Sequence, residues 1–156
     1  MLARTVGAKP RRVTDGQRII YHAAAVFASN YVVALLDLAV GLLEEIGWGA
    51  EDAGAALMPL AEGALADGAH RGTVHALTGP ISRGDLETVT RHLAALAVVG
   101  AGRTPQGGPR PLDVYRMLGQ IALEIAKEAG LEPAAAEPIR KALTRNMAAT
   151  RRRGHK

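Results

Sequence analysis

Apolar residues recur at three- and four-residue spacing along most of the chain, a pattern typical of helices that bury one face. Leu86, Val89 and Leu93 give one clear example of this stripe. We predict helices over about 15–46, 51–67, 85–98 and 112–129, and a shorter one that begins near Pro138. No segment alternates with period two or carries a β-branched run between turns. The predicted fold class is therefore all-α.

Turn-forming residues mark the limits of these predicted helices. Gly47 and Gly130 directly follow two of them, where a left-handed residue commonly ends a helix. Pro59 falls inside the second helix and is expected to kink it, because its ring removes one hydrogen bond. The Gly/Pro-rich segment 100–111 predicts a flexible loop. We divide the chain into an N-terminal tail or linker over 1–14, a helical domain over 15–147 and a basic tail over 148–156.

Composition and charge narrow the class of protein. A chain of 156 residues that is 48% hydrophobic can bury the core of one domain, and the absence of cysteine excludes disulfides and thiolate metal sites. The net charge of +4 comes from the two ends, whereas residues 13–150 hold 11 basic and 15 acidic residues. We therefore expect solvated tails rather than a nucleic-acid interface. No signal peptide is predicted, so a cytoplasmic location is expected.

The first predicted helix is unusually apolar. It has no formally charged residue from Ile19 to Leu36, which is long enough to suggest a membrane span. Asp37 follows at once, and an Asp within a spanning helix would cost about 2.5–3.5 kcal/mol. We therefore expect no membrane anchor, and instead a helix buried in the protein core or in a dimer interface.

Five polar residues interrupt this apolar helix on one side, at about 100° per residue. They are His22, Ser29, Asn30, Asp37 and Glu44. Three interpretations stay open at this point: a solvated face, hydrogen bonds between helices in a bundle or dimer, and the lining of a pocket. The pocket is included because buried polar groups need hydrogen-bond partners, and a bound ligand can supply them.

Several blocks of sequence carry a family resemblance. They are YHAAAVFASN at 21–30, LLEEIG at 42–47, PLAEGAL at 59–65, LTGPISRGD at 77–85 and RHL at 91–93. Over about 21–131 the chain resembles a bacterial oxidoreductase-like family whose C-terminal domain, domain of unknown function 2520, follows a Rossmann-like domain. The resemblance implies a helical bundle like the C-terminal domain of 6-phosphogluconate dehydrogenase, with a long central first helix.

The resemblance also implies a function. The family is similar to 6-phosphogluconate dehydrogenase, ketopantoate reductase and pyrroline-5-carboxylate reductase, in which the N-terminal domain binds NAD(P) and the helical domain forms the dimer and closes the substrate cleft. It implies a homodimer, a small-molecule substrate, and NADP or NAD held by a Rossmann domain that this chain lacks. The alternative is a non-enzymatic homodimeric scaffold left from a split or truncated reductase.

By block position, the resemblance places His22, Ser29 and Asn30 in that cleft as catalytic residues. His22 would exchange a proton near neutral pH, and the other two would hydrogen-bond the substrate. No G-x-G-x-x-G follows a predicted strand, so no cofactor-binding residue is predicted here and the chain is expected to be inactive alone. No lysine lies between Lys9 and Lys127, so a mechanism that uses a lysine of the first helix is unsupported.

The resemblance assigns Thr78, Arg83 and Asp85 to substrate binding, on a loop opposite the first helix. Arg83 offers a fork for a carboxylate or phosphate, and Thr78 a hydroxyl. Alternatively, Thr78 and Asp85 serve as turn or helix-cap residues, and Arg83 pairs with Asp85. His92, on the helix that follows, is expected to be an exposed surface residue. No metal site is predicted.

Overall fold

The computed structural model describes residues 12–99 and 109–145. Its helices are α1 (Asp15–Ala28), α2 (Asn30–Glu44), α3 (Ala50–Arg71), α4 (Thr73–Ala76), α5 (Leu86–Val98), α6 (Pro111–Glu128) and α7 (Pro133–Thr144). These ranges contain no strand, which confirms the all-α prediction. Residues 1–11 of the predicted N-terminal tail, residues 100–108 of the predicted loop and the whole predicted C-terminal tail lie outside the described residues.

The chain forms two compact units, 1–37 and 38–156, and the boundary between them falls inside α2. We describe each unit by itself. The first unit contains α1 and the beginning of α2, and the second contains the end of α2 together with α3 to α7.

The second unit holds the hydrophobic core. Helices α5, α6 and α7 pack against one another, α4 packs on α6, and α3 packs on α4. The buried cluster includes Ile81, Val89, Leu123, Ala126, Ala136, Ile139 and Leu143. A fully buried Val, Leu or Ile side chain contributes about 1.5–3 kcal/mol to folding, so this cluster is the main source of stability in the unit.

Gly119 lets α6 and α7 approach each other closely. A Cβ atom at this position would lie 2.7 Å from Cδ2 of Leu143 and 3.4 Å from Cδ1 of Ile81. The first distance is well inside van der Waals contact, so a side chain here would push the helices apart. The loop residue Ile81 and α7 therefore both pack against the bare backbone of α6.

Several predicted helix limits are confirmed. Gly47 and Gly130 both have positive φ angles after the helices that they follow. Helix α5 runs from Leu86 to Val98 and α6 from Pro111 to Glu128, each within one residue of the prediction at both ends. Helix α3 continues through Pro59 to Arg71, four residues beyond the predicted end.

Two features of the described helices were missed. Helix α7 begins at Pro133, not near Pro138, because a proline is tolerated at the first helical position and Pro133 occupies it. Pro138 then lies inside α7. The four-residue helix α4 was not predicted, since one turn is too short to show a period.

In the first unit, the predicted continuous helix over 15–46 is wrong. It is two helices, separated by Ser29, whose φ of −128° and ψ of −74° are not helical. The Ser29 hydroxyl donates to the carbonyl oxygen of Ala25 over 2.7 Å, a bond back to the preceding turn that bends helices. Phe27 and Tyr31 pack edge to face on either side of the break, with ring centroids 4.9 Å apart.

The apolar side chains of α1 are exposed. The helix has no buried residue, and Ile20 and Phe27 keep 72% and 68% of their surface accessible. Burial of this surface in a dimer interface stays a prediction. The span Asp15–Glu44 is also long and apolar enough to cross a membrane, but one such helix near the N-terminus is weak support for a membrane span.

Candidate functional site

The predicted site residues divide between the two units. His22, Ser29 and Asn30 belong to the first unit, whereas Thr78, Arg83 and Asp85 belong to the second. Each group is therefore described separately.

His22 lies in the middle of α1 and is exposed. It lines an open surface depression together with Asp15, Arg18 and Ile19 of the same helix. Asp15 and Arg18 form an ion pair with an O–N distance of 3.0 Å beside it. Within the described ranges, the His22 imidazole makes no hydrogen bond, so both ring nitrogens are available to a ligand or a partner surface.

Ser29 and Asn30 lie at the break between α1 and α2, and both are exposed. Oδ1 of Asn30 lies 2.9 Å from the Ser29 hydroxyl that also donates to Ala25. The Ser29 hydroxyl proton is therefore used in a hydrogen bond within the helix, and towards a ligand this hydroxyl can only accept a hydrogen bond. The Asn30 amide nitrogen remains a possible donor.

The break also changes the polar stripe that the sequence suggested. A shared face from His22 to Glu44 requires one regular helix, and Ser29 interrupts it. Asp37 is exposed and Glu44 is half-buried, and each has an interaction partner. We therefore assign no ligand role to either carboxylate.

In the second unit, residues 77–85 form a compact turn closed by their own hydrogen bonds. The N–H of Asp85 donates to the carbonyl oxygen of Pro80 over 2.9 Å, and that of Gly84 donates to Ile81 over 3.2 Å. The Ser82 hydroxyl donates to the carbonyl oxygen of Gly79 over 2.9 Å. These bonds occupy backbone groups that an open loop would leave to water, so the loop is internally braced.

Two residues fasten this turn to the core. Ile81 keeps only 8% of its surface accessible and belongs to the buried cluster. Gly84 has a φ of +71°, and a Cβ there would lie 2.9 Å from Cβ of Ala135 and 3.2 Å from Cδ1 of Leu131. Only glycine meets both the conformational and the steric requirement. The loop is therefore held in one position relative to α7.

Asp85 caps α5, as one of the two interpretations of the sequence stated. Its Oδ1 accepts from the Thr88 N–H over 2.9 Å and its Oδ2 from the Thr88 hydroxyl over 2.7 Å. These two hydrogen bonds hold the pKa of Asp85 below its usual value of 3.8, and the nearby charges of Arg83 and His92 lower it further. Both carboxylate oxygens thus have a structural use, and the predicted role of Asp85 in substrate binding stays a prediction.

Thr78 and Arg83 are the polar side chains of this loop that the fold does not use. Both are exposed. In the part of the chain that the structure describes, neither side chain makes a hydrogen bond, and no ion pair joins Arg83 to Asp85. A guanidinium on a braced loop can take a carboxylate or phosphate through two parallel hydrogen bonds at little cost in loop entropy.

Sequence reasoning missed a pair of residues close to this loop. His92 of α5 is exposed, as predicted, but its Nδ1 lies 3.0 Å from the hydroxyl oxygen of Tyr115 in α6. In the sequence, Tyr115 lies at helical spacing from Leu118 and Ala122, which is typical of an apolar face. The separation of 23 residues between His92 and Tyr115 gives no local signal of their contact. Burial of Tyr115 raises its pKa.

Comparison with protein families matches residues 1–122 to a family described as Domain of unknown function (DUF2520). This chain belongs to the DUF2520 family. The match contains every predicted site residue and ends inside α6, whereas α7, which contributes Ile139 and Leu143 to the core, lies beyond it. No curated protein and no solved structure matches the chain.

The DUF2520 chain offers no place for a dinucleotide within the described residues. These residues form no strand, so none provides the strand, glycine-rich turn and helix that bind a pyrophosphate. The same ranges contain no group of three His, Asp or Glu side chains placed to hold a metal ion. The described residues therefore contain no Rossmann-type dinucleotide site.

Proposed function

We propose that this DUF2520 domain is the substrate-binding and dimerisation part of an NAD(P)-dependent oxidoreductase. A separate Rossmann domain would hold NADP or NAD, because the described residues contain no Rossmann-type dinucleotide site. The proposal includes a homodimer, a small-molecule substrate with an anionic group, and a cytoplasmic location.

The observation that carries the proposal is the braced loop over 77–85. Four residues of the loop have structural roles. Ile81 and Gly84 pack against the second unit, the Ser82 hydroxyl closes the turn, and Asp85 caps α5. What the loop presents to solvent is Arg83, together with Thr78. A rigid support with an exposed, unpaired guanidinium is the arrangement expected of a residue that positions a carboxylate or phosphate.

The exposed apolar side chains of α1 support the dimerisation part of the proposal. Ile19, Ile20 and Phe27 each keep about two thirds or more of their surface accessible. Contiguous apolar surface of this kind marks interaction sites in soluble proteins. A second copy of the chain is the partner that we propose for it, in line with the predicted homodimer.

His22, Ser29 and Asn30 keep their proposed catalytic roles. His22 has two free ring nitrogens among the described contacts, and an imidazole can both donate and accept a proton. His22 lies on the same helix that supplies the proposed dimer contacts. Ser29 acts as an acceptor, because its proton is bonded to Ala25.

A non-enzymatic homodimeric scaffold is the second candidate. It is favoured by the open setting of His22, which lines a surface depression formed with residues of its own helix. Under this alternative, the apolar surface of α1 would still form the dimer. Substitution of His22 or Arg83 would then leave the stability, the dimer mass and the binding of small anions unchanged.

Sedimentation equilibrium and an NADPH titration on the purified chain test the proposal. We expect a mass of twice 16.3 kDa and no NADPH binding at micromolar concentration. A monomer at all concentrations, or micromolar NADPH binding by this chain alone, would contradict it. Retention of the chain in carbonate-washed membranes would contradict the proposed cytoplasmic location.

A further inference from the structure

The hydrogen-bonded pair of His92 and Tyr115 joins α5 to α6 at the protein surface. Their rings meet edge to face, with centroids 5.8 Å apart and planes at 88°. The distance of 3.0 Å between Nδ1 and the phenol oxygen is that of a normal hydrogen bond. Two contacts of different kinds therefore fix the orientation of the imidazole ring.

The chemistry of this pair selects one tautomer of His92. Tyr115 is half-buried, and burial raises its pKa, so the phenol stays protonated at neutral pH. A phenol hydroxyl is a stronger donor than acceptor, so we expect Tyr115 to donate to Nδ1 of a neutral imidazole, which places the ring proton on Nε2. His92 is exposed, so its Nε2–H is a donor that the protein does not use.

The same surface contains the charged groups of the braced loop. His92 lies seven residues after Asp85 on the same face of α5, about 10 Å along the helix axis, and Arg83 precedes Asp85 by two residues on the loop. The charges of both groups lower the pKa of Asp85, after its hydrogen bonds to Thr88. Asp85 uses its two carboxylate oxygens to accept from Thr88, whereas the Arg83 guanidinium and the Nε2–H of His92 have no hydrogen-bond partner among the described residues.

We propose that His92, held by Tyr115, is a second binding residue for the anionic group that Arg83 binds. The guanidinium of Arg83 would take two oxygens of a carboxylate or phosphate, and the Nε2–H of His92 would donate to an oxygen of the same group. Tyr115 is a positioning residue and does not touch the ligand. The inference rests on the proposed function only in placing a substrate anion at the loop.

The first part of the test concerns the tautomer and needs no ligand. In ¹⁵N spectra of the imidazole rings at neutral pH, we expect the neutral form of His92 to be the Nε2–H tautomer. Tyr115→Phe keeps the packed ring and removes only the hydroxyl, so His92 should change to a tautomer mixture in that variant. His70, exposed on α3, is the control ring and should give the same spectrum in both proteins. A His92 that is equally mixed in both proteins would overturn the positioning role of Tyr115.

The second part uses inorganic phosphate and acetate as probes, at constant ionic strength with chloride as the balancing anion. We expect both probes to shift the Nε2 signal of His92 and the Nε signal of Arg83. His92→Ala should weaken phosphate binding about tenfold, the effect of losing one hydrogen bond to a charged group. Arg83→Ala should weaken it by more than that, because it removes two hydrogen bonds and the positive charge. His70→Ala is the matched control and should stay within about twofold of the wild type.

The outcomes separate this inference from the proposed function. Shifts at Arg83 with none at His92 would overturn the inference and leave the proposed function standing. No shift at either residue would overturn the inference and remove the main support for the proposed function. Binding at both residues by a chain that remains monomeric would support the inference and contradict the proposed function.

Discussion

The loop over 77–85 and helix α1 both carry residues of the predicted site, but they are supported in opposite ways. Contacts within the second unit determine the position of the loop: Ile81 is buried and Gly84 packs directly against Ala135. Helix α1 is mostly apolar and yet contributes no buried side chain. The loop is therefore organised by contacts within the second unit, whereas α1 exposes apolar side chains, which we propose a second copy of the chain covers.

The largest expected effect comes from matched isoleucines in the two regions. Ile139 is fully buried in the second unit, whereas Ile20 on α1 is 72% exposed. Ile139→Ala should lower the free energy of unfolding by about 2–5 kcal/mol, because it leaves a cavity in the core. Ile20→Ala should change the stability of the monomer by about 0.5 kcal/mol or less. Urea denaturation at low protein concentration measures both free energies of unfolding. Equal losses in the two variants would contradict the assignment of α1 to the surface and of Ile139 to the core.

The next effect concerns the anchoring of the loop. Gly84→Ala places a methyl group 2.9 Å from Cβ of Ala135 at a φ of +71°, so we expect a loss of about 1–3 kcal/mol in unfolding free energy. Gly63→Ala, inside α3 with open space around it, is the control and should be neutral or stabilising by up to about 1 kcal/mol. Thermal denaturation compares the two variants. A Gly84 variant as stable as the Gly63 variant would show that the loop is not braced in this way.

A smaller effect is expected at the start of α5. The pKa of Asp85 is held below 3.8 by its bonds to Thr88, so the charged carboxylate stabilises the folded state. That contribution is fully present above the unfolded pKa and is lost as the pH falls through the folded pKa. Asp85→Asn keeps a capping oxygen and removes the charge. The wild type should therefore have the larger free energy of unfolding, and the difference between the two proteins should be greater at pH 7 than at pH 2. A pH-independent difference between the two would contradict the assigned role of the charge.

The smallest expected effect concerns an exposed ion pair on α7. Arg140 donates two hydrogen bonds to Glu137, of 2.7 and 2.6 Å, and they lower the pKa of Glu137 to about 2. Glu137→Gln should lower the thermal midpoint only slightly, because both side chains are solvated. The difference should shrink further in 1 M salt and near pH 2. A loss as large as that of the Gly84 variant would mean that this pair has a core role.

The sequence predicted features that depend on local chemistry. Asp85 was recognised as a possible cap because acidic residues are favoured before the first turn of a helix. The ends of α5 and α6 followed from the period of their apolar residues and from the Gly and Pro residues beside them. Such signals lie within a few residues of the feature that they determine.

Features that depend on contacts across the fold were beyond that reasoning. The break at Ser29 leaves the apolar period almost intact, and the bond from its hydroxyl back to Ala25 has no signature in that period. The pair of His92 and Tyr115 exists only because α5 packs on α6. Whether α1 lies in a core or in an interface was also beyond local reasoning, because an apolar helix is compatible with a core, an interface or a membrane.

Hydrogen exchange as a function of protein concentration tests the contrast between α1 and the second unit most directly. We expect the amides of α1 to gain protection between low and high micromolar concentration, as a second copy covers Ile19, Ile20 and Phe27, while amides near Leu123 in α6 stay equally protected throughout. Protection of α1 that does not change with concentration would contradict the claim that its apolar surface is a dimer interface.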